Sequence, residues 1–119
     1  MSIPPGTLTD EFREQVIAFY GAMLGWHEIK GLRLADRMTI AVGDDSYVNL
    51  REREDNATFH GYDHFGVLVD SEAELRALWD DLARNYPDVT LRAISEGGGS
   101  LTFRMQYLLP LAVEVQYFG

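Results

Sequence analysis

The chain has 119 residues, 46% hydrophobic and 24% charged, the balance of an ordinary soluble globular protein large enough to close one core without staples. It has no cysteine, which excludes disulfides, thiolate nucleophiles and cysteine metal sites. Acidic residues number 19 against 10 basic ones, a net charge of −9, which argues against a nucleic-acid partner because phosphate neutralisation needs basic patches. Acids lining a pocket would favour a cationic ligand, and a solvated acidic surface is the simpler account of the charge.

In chain order, the opening MSIPPGTLTD lacks a basic region followed by an apolar run, so no signal peptide is expected. No apolar stretch approaches membrane-spanning length, so no membrane partner is expected, and a cytoplasmic location fits. Pro4, Pro5 and Gly6 make a poor strand, which predicts an opening strand that is short, irregular or missing. Thr9 or Asp10 caps a helix over Glu11–Leu24, with Phe12, Val16, Phe19, Tyr20 and Met23 on its buried stripe and Gly25 as its stop. Three strands follow, over 26–34, 38–42 and 46–52, with turns at Asp36-Arg37 and Gly43-Asp44-Asp45. The polar stretch 53–61 reads as a linker.

The second half opens with a strand over 62–70 that carries His64. Ser71 and Glu74 form a capping box at the start of a helix over Ser71–Tyr86, which buries Leu75, Leu78, Trp79, Leu82 and Tyr86 and ends at Pro87. Strands over 89–95, 100–106 and 111–118 complete it, the last carrying Glu114. Gly97-Gly98-Gly99 reads as a hairpin turn, since no lysine and helix follow as a phosphate-binding loop requires. The front half repeats most of this order without a His or Glu at the matching places. The expectation is an α+β fold of two βαβββ modules, residues 1–54 and 61–119 of a single domain, whose curved mixed sheets share one cavity.

Phe19-Tyr20-Gly21-Ala22-Met23-Leu24-Gly25-Trp26 resembles the "FY…LGW" helix-to-strand signature of the vicinal oxygen chelate superfamily. That group includes glyoxalases, extradiol dioxygenases, fosfomycin-resistance enzymes and bleomycin-binding proteins. Asp63-His64-Phe65-Gly66-Val67-Leu68-Val69 is similar to the strand opening its second module, and Ala112-Val113-Glu114-Val115-Gln116-Tyr117-Phe118 to its closing strand. The resemblance covers nearly the whole chain. It is specific for fold and weak for reaction, because one scaffold hosts many chemistries.

In metal-using members the ligands come from the first and last strands of each module, so the resemblance nominates His64 and Glu114 for a divalent metal. Strand parity is compatible: His64 shares a face with Gly66 and Leu68, and Glu114 with Ala112 and Gln116. Imidazole with carboxylate suits zinc, manganese, iron, nickel or cobalt; a hydrogen-bonded polar pair without metal is the plainer reading. The front module does not complete the set. The place matching His64 falls at Pro4 or Pro5, and the place matching Glu114 falls at Asn49, whose neutral amide is a poor ligand. Asn49 is predicted to share a face with Tyr47 and Arg51 and to line the cavity, with Val48 and Leu50 packed beneath; a solvated strand face is the alternative.

Many relatives place an "Asp-Pro-Asp-Gly" turn before the last strand, where this chain has Gln106-Tyr107-Leu108-Leu109-Pro110-Leu111. That apolar loop suits a pocket lid, a subunit interface or a core-packed loop, and Tyr107 offers a ring with a polar tip to a ligand or to the core. Arg51 and Arg104 are placed to pair with Glu114 or with a ligand carboxylate, or to make structural salt bridges. His27 and His60 read as surface residues, Glu96 as a solvated turn residue or one facing the pocket mouth, and Trp26, Trp79 and Phe103 as core. No Ser-His-Asp spacing supports acyl transfer.

Three functions follow: a protein that binds or sequesters a small organic ligand, a metal-dependent lyase, isomerase or dioxygenase, and a metal-free acid–base catalyst with Glu114 as base and His64 orienting or donating a proton. The incomplete metal site favours the first, with His64, Glu114, Asn49, Tyr107 and Arg104 contacting the ligand. A homodimer is expected, because open sheets leave edges to cover and Leu108, Leu109 and Leu111 offer apolar contact.

Overall fold

The computed structural model describes residues 1–55 and 64–119. The chain divides into two units, Met1–Thr58 and Phe59–Gly119, each built as strand, helix, then further strands. The residues 56–61 of the predicted linker, with His60 and the first residues of the predicted 62–70 strand, lie outside the described residues.

In the first unit, β1 is only Ser2–Ile3, as the proline pair and Gly6 at φ 85° require. Helix α1, Asp10–Leu24, begins at Thr9, whose Oγ1 accepts from the Phe12 amide at 3.1 Å. It ends at Gly25 in the left-handed region, φ 73°, where the Gly25 and Trp26 amides return to the carbonyls of Gly21 and Tyr20. That turn stacks Trp26 on Tyr20, centroids 4.8 Å apart and 15° from parallel. A Cβ on Gly21 would lie 3.1 Å from the Trp26 carbonyl oxygen. The tyrosine, two glycines and tryptophan of the signature are therefore one packing unit. The buried stripe holds Val16, Phe19, Tyr20 and Met23, and it also holds Arg13.

The three expected strands become β2 (His27–Glu28), β3 (Arg37–Ala41) and β4 (Tyr47–Glu52), in the order β1-β4-β3-β2. The strand predicted over 26–34 stops after two residues. A short 3₁₀ turn at Lys30–Leu32 follows, because Arg33 folds back onto Glu28 and Arg13 bonds the carbonyls of Leu34, Ala35 and Arg37. These bonds hold segment 29–36 as a loop against α1 instead of an extended strand.

In the second unit, β5 is His64–Leu68 and α2 is Glu72–Asn85. Ser71 Oγ accepts from the Glu74 amide at 3.1 Å, and Glu74 returns a carboxylate oxygen to the Asp70 amide at 3.2 Å, one residue earlier than the expected capping box. Leu75 and Leu82 are buried, while Leu78, Trp79 and Tyr86 are half-buried. Trp79 Nε1 donates to the Arg92 carbonyl, 2.9 Å away. This bond lies where the predicted 89–95 strand breaks into β6 (Thr90–Leu91) and β7 (Ser95–Gly97). Strands β8 (Ser100–Gln106) and β9 (Ala112–Phe118) complete a sheet ordered β5-β9-β8-β6, with β7 also pairing β8. Gly98 and Gly99, at φ 60° and 79°, turn the β7–β8 hairpin between the paired Gly97 and Ser100. Helix α2 packs against β8 and β9, whose Leu101, Phe103, Met105, Val113 and Val115 form the core of this unit. The architecture is α+β, two βαβββ modules with one mixed sheet each.

Candidate functional site

The polar face of the second sheet is set by strand parity. Strands β5 and β9 run parallel with His64 opposite Ala112 and Gly66 opposite Glu114, while antiparallel β8 places Arg104 opposite Glu114 and Thr102 opposite Gln116. Odd-numbered Val113, Val115, Leu101, Phe103 and Met105 turn to the helix side, which leaves the even-numbered residues on the other face. Ala112 and Gly66, directly across from the two polar residues, are the smallest side chains on that face. They let His64 and Glu114 lie across the strands toward each other.

The resulting cluster centres on Glu114. His64 Nε2 lies 2.5 Å from Glu114 Oε2, Arg104 Nε lies 3.3 Å from the same oxygen, and Gln116 Nε2 donates to Oε1 at 3.0 Å. The Glu114 side chain is 11% exposed, against 32% for His64 and 35% for Arg104. An ionised carboxylate only accepts hydrogen bonds, so His64 carries its proton on Nε2 in this pairing. Three donors converge on one carboxylate that is mostly out of water. Such a group is fixed in place, and it in turn orients the imidazole and the guanidinium at the open side of the face. Gln116 had a sequence signal, its place two residues after Glu114 on one strand face, but an amide on a polar strand face reads first as solvated.

The first sheet builds its polar face by the same parity. Tyr47, Asn49 and Arg51 share a face with Ala41, Thr39 and Arg37 across β3, and Leu50 is fully buried on the other. Asn49 pairs with Thr39 as Glu114 does with Arg104, and the Thr39 hydroxyl donates to Asn49 Oδ1 at 2.6 Å. The expected match of His64 with Pro4 or Pro5 fails. Ser2 pairs with Arg51, two residues after Asn49, whereas His64 pairs with Ala112, two residues before Glu114. In that parallel register the counterpart of His64 falls ahead of Met1. Pro4 and Pro5 lie beyond the end of β1, because neither ring can donate to the ladder.

The remaining candidates fall elsewhere. Tyr107 starts the loop after β8, three residues past Arg104, and its carbonyl accepts from the Leu109 amide at 2.7 Å. Leu109 is buried in the core, and Leu108 takes the left-handed conformation, φ 64°, that lets it do so. Glu96 pairs with Arg76 at 2.9 Å on the surface. His27 is exposed opposite Ala41, Trp26 and Phe103 are core, and Trp79 is half-buried.

Among the described residues, a divalent metal on this face would have His64 and Glu114 as its protein donors, fewer than the three that catalytic zinc and non-haem iron centres take. Both oxygens of Glu114 already accept from protein donors, and no group of three or more His, Cys, Asp or Glu able to hold a metal occurs among the described residues. Among the described residues, the donor set does not fit a resident catalytic metal.

No sequence-family profile matches the chain. No curated protein matches it. Solved structures do. A glyoxalase/bleomycin resistance protein/dioxygenase family enzyme from Burkholderia phytofirmans PsJN superposes with a TM-score of 0.75 at 12% identity, covering 100% of this chain and 94% of that one. The fosfomycin resistance protein FosX of Listeria monocytogenes gives 0.69 at 10% identity, covering 100% and 88%. A glyoxylase/bleomycin resistance protein/dioxygenase domain from Frankia sp. EAN1pec gives 0.66 at 17% identity, covering 99% and 92%. With the paired βαβββ modules, these likenesses establish that the chain has the fold of the glyoxalase/bleomycin resistance/dioxygenase proteins, the vicinal oxygen chelate fold.

Proposed function

We propose that this protein binds a small organic ligand on the open face of its second sheet, around His64, Arg104 and Glu114, without a metal of its own. The observation that carries the reading is the Glu114 carboxylate, whose two oxygens take three donors from His64, Arg104 and Gln116. A carboxylate so occupied orients its neighbours; to ligate a metal or accept a substrate proton it would first have to give up a charge-assisted bond. Bleomycin resistance proteins among the fold neighbours carry a name that fits such a role. Asn49, bonded to Thr39, and Tyr107 are secondary candidates for ligand contact.

The competing reading is a metal-dependent lyase, isomerase or dioxygenase. One observation favours it: the two residues nominated as metal ligands lie side by side. Ligand binding measured with and without a chelator separates the two. On the binding reading, chelation changes nothing, while His64→Ala and Glu114→Ala each weaken binding by about 1–3 kcal/mol. On the metal reading, chelation and either substitution abolish function together. Loss of binding on chelation alone would overturn the proposal. A homodimer belongs to the same reading. Leu109, buried in the core, cannot serve its interface, whereas Leu68 and Phe118 are exposed. Light scattering that shows a monomer at micromolar concentration would remove it.

A further inference from the structure

Arg37 begins β3, and Arg51 stands directly opposite it near the end of β4, on the face that also carries Thr39 and Asn49. Directly opposite residues of an antiparallel pair hold their Cβ atoms about 4.5–5.5 Å apart, and like charges so placed repel. A carboxylate would relieve such a pair, and this chain has 19 acidic residues for its 10 basic ones. Arg13, Arg33, Arg53, Arg76 and Arg104 each meet one. Among the described residues, no Asp or Glu lies within ion-pair distance of Arg37 or Arg51. Arg37 Nη2 donates to the Leu32 carbonyl at 2.9 Å, but its Nε is buried and meets no acceptor. A buried N–H without a partner is destabilising, so a guanidinium tied at one nitrogen and unsatisfied at another gains by turning toward an anion.

The two arginines line a cavity of about 290 Å³ at this end of the first sheet, together with Leu34, Asp36, Glu52 and Arg53. Three arginines against two acids leave the lining one positive charge in surplus, in a chain whose net charge is −9. Glu52 alternates to the other side of β4 from Arg51, and its carboxylate accepts from the Gly6 amide at 2.7 Å. Leu34, 51% exposed, offers the cavity an apolar wall. We propose that Arg37 and Arg51 form a binding site for a small organic carboxylate, which bridges the two guanidinium groups and rests its apolar end on Leu34. A planar carboxylate matches the guanidinium fork, and one negative charge matches the surplus of one. The second charge of a phosphate would meet repulsion from Asp36 and Glu52. The volume, at the low end for small-molecule pockets, suits a body of a few carbon atoms. This site belongs to the first unit, and the inference does not rest on the reading of the second sheet's face.

A nuclear magnetic resonance titration of the full chain with butanoate, inorganic phosphate and 1-butanol tests it. Butanoate is expected to shift the side-chain Nε–H signals of Arg37 and Arg51 and the methyl signals of Leu34, saturating at one per chain. Phosphate should bind severalfold more weakly, and 1-butanol should leave the arginine signals in place. Arg51→Gln, at an exposed position, should lower butanoate affinity about tenfold, because charge-assisted bonds are lost. Arg84→Gln removes the same charge from the exposed face of α2 and should leave that affinity unchanged. Without ligand, Arg51→Gln should melt no lower than the parent, since it removes a repulsion. Tighter binding of phosphate overturns the carboxylate, and 1-butanol moving the same signals as strongly overturns the anion. An equal loss of affinity in Arg84→Gln would reduce the effect to general attraction and overturn the site. Arginine signals that no probe moves overturn it as well, and a melting temperature lowered by several degrees in Arg51→Gln would make that arginine a structural prop.

Discussion

Replacing Arg13 by methionine should cost this protein about 3 kcal/mol. Arg13 and Glu28 are each 4% exposed at the side chain and meet at 3.2 Å, so solvent screens the pair little. The guanidinium also donates to the carbonyls of Leu34 at 2.7 Å and Arg37 at 3.2 Å, with a longer contact of 3.4 Å to Ala35. Removing one partner of a buried pair costs about 3–5 kcal/mol. The lower end applies because the groups held at the shorter distances keep another partner. Glu28 retains Arg33, and the Leu34 and Arg37 carbonyls still accept from each other's amides. Methionine fills much of the same volume, so little cavity is added. Urea unfolding should give the free-energy loss directly, and the melting temperature should fall by about 10 °C. The double variant with Glu28→Gln should lose less than the sum of the single losses. A stability within about 0.5 kcal/mol of the parent would refute the reasoning and make the buried arginine a bystander.

Three further outcomes follow from the same packing. Burial pushes the Glu28 carboxyl up, but the Arg33 hydrogen bond and the charges of Arg33 and Arg13 outweigh it and hold the group below its ordinary 4.5. Its stabilisation is therefore present above that pH and is lost as pH falls through the lowered folded value, so Glu28→Gln should flatten the acid limb of a stability–pH curve; an unchanged limb would count against it. Thr39→Val removes the buried donor to Asn49 Oδ1 and should cost about 1–2 kcal/mol in urea unfolding, with no loss pointing to water in its place. Gly98→Ala should cost about 1–2 kcal/mol by thermal melting, since nothing crowds its Cβ and the left-handed φ is the whole penalty; a neutral result would mean that the turn relaxes.

The meeting of His64 and Glu114 was legible through the family resemblance, which nominates the pair, and strand parity is compatible with it. Arg104, within a strand, was one of two arginines the sequence offered as partners of Glu114, and it is the one that pairs with it. The opening strand was legible as short but its register was not: two residues ahead of a proline pair carry no periodicity, and only the pairing of Ser2 with Arg51 shows where β1 stands. Arg13 could have been found. It sits three residues before Val16 and seven before Tyr20, on the buried stripe, where a charged residue signals a buried partner. The partner, Glu28, was hidden because a segment read as one long strand folds into a loop around that arginine. The chemical role of this face stayed out of reach, since strand parity tells which side chains share a face and not what they hold.

The central claim is that the Glu114 cluster is a ligand-orienting site and not a metal centre. Elemental analysis of the protein purified without a metal-binding tag tests it most directly. Nickel, zinc, iron and manganese should each come out far below one per chain, with no change on His64→Ala or Glu114→Ala. One equivalent of any of these metals, lost with either substitution, would contradict the account.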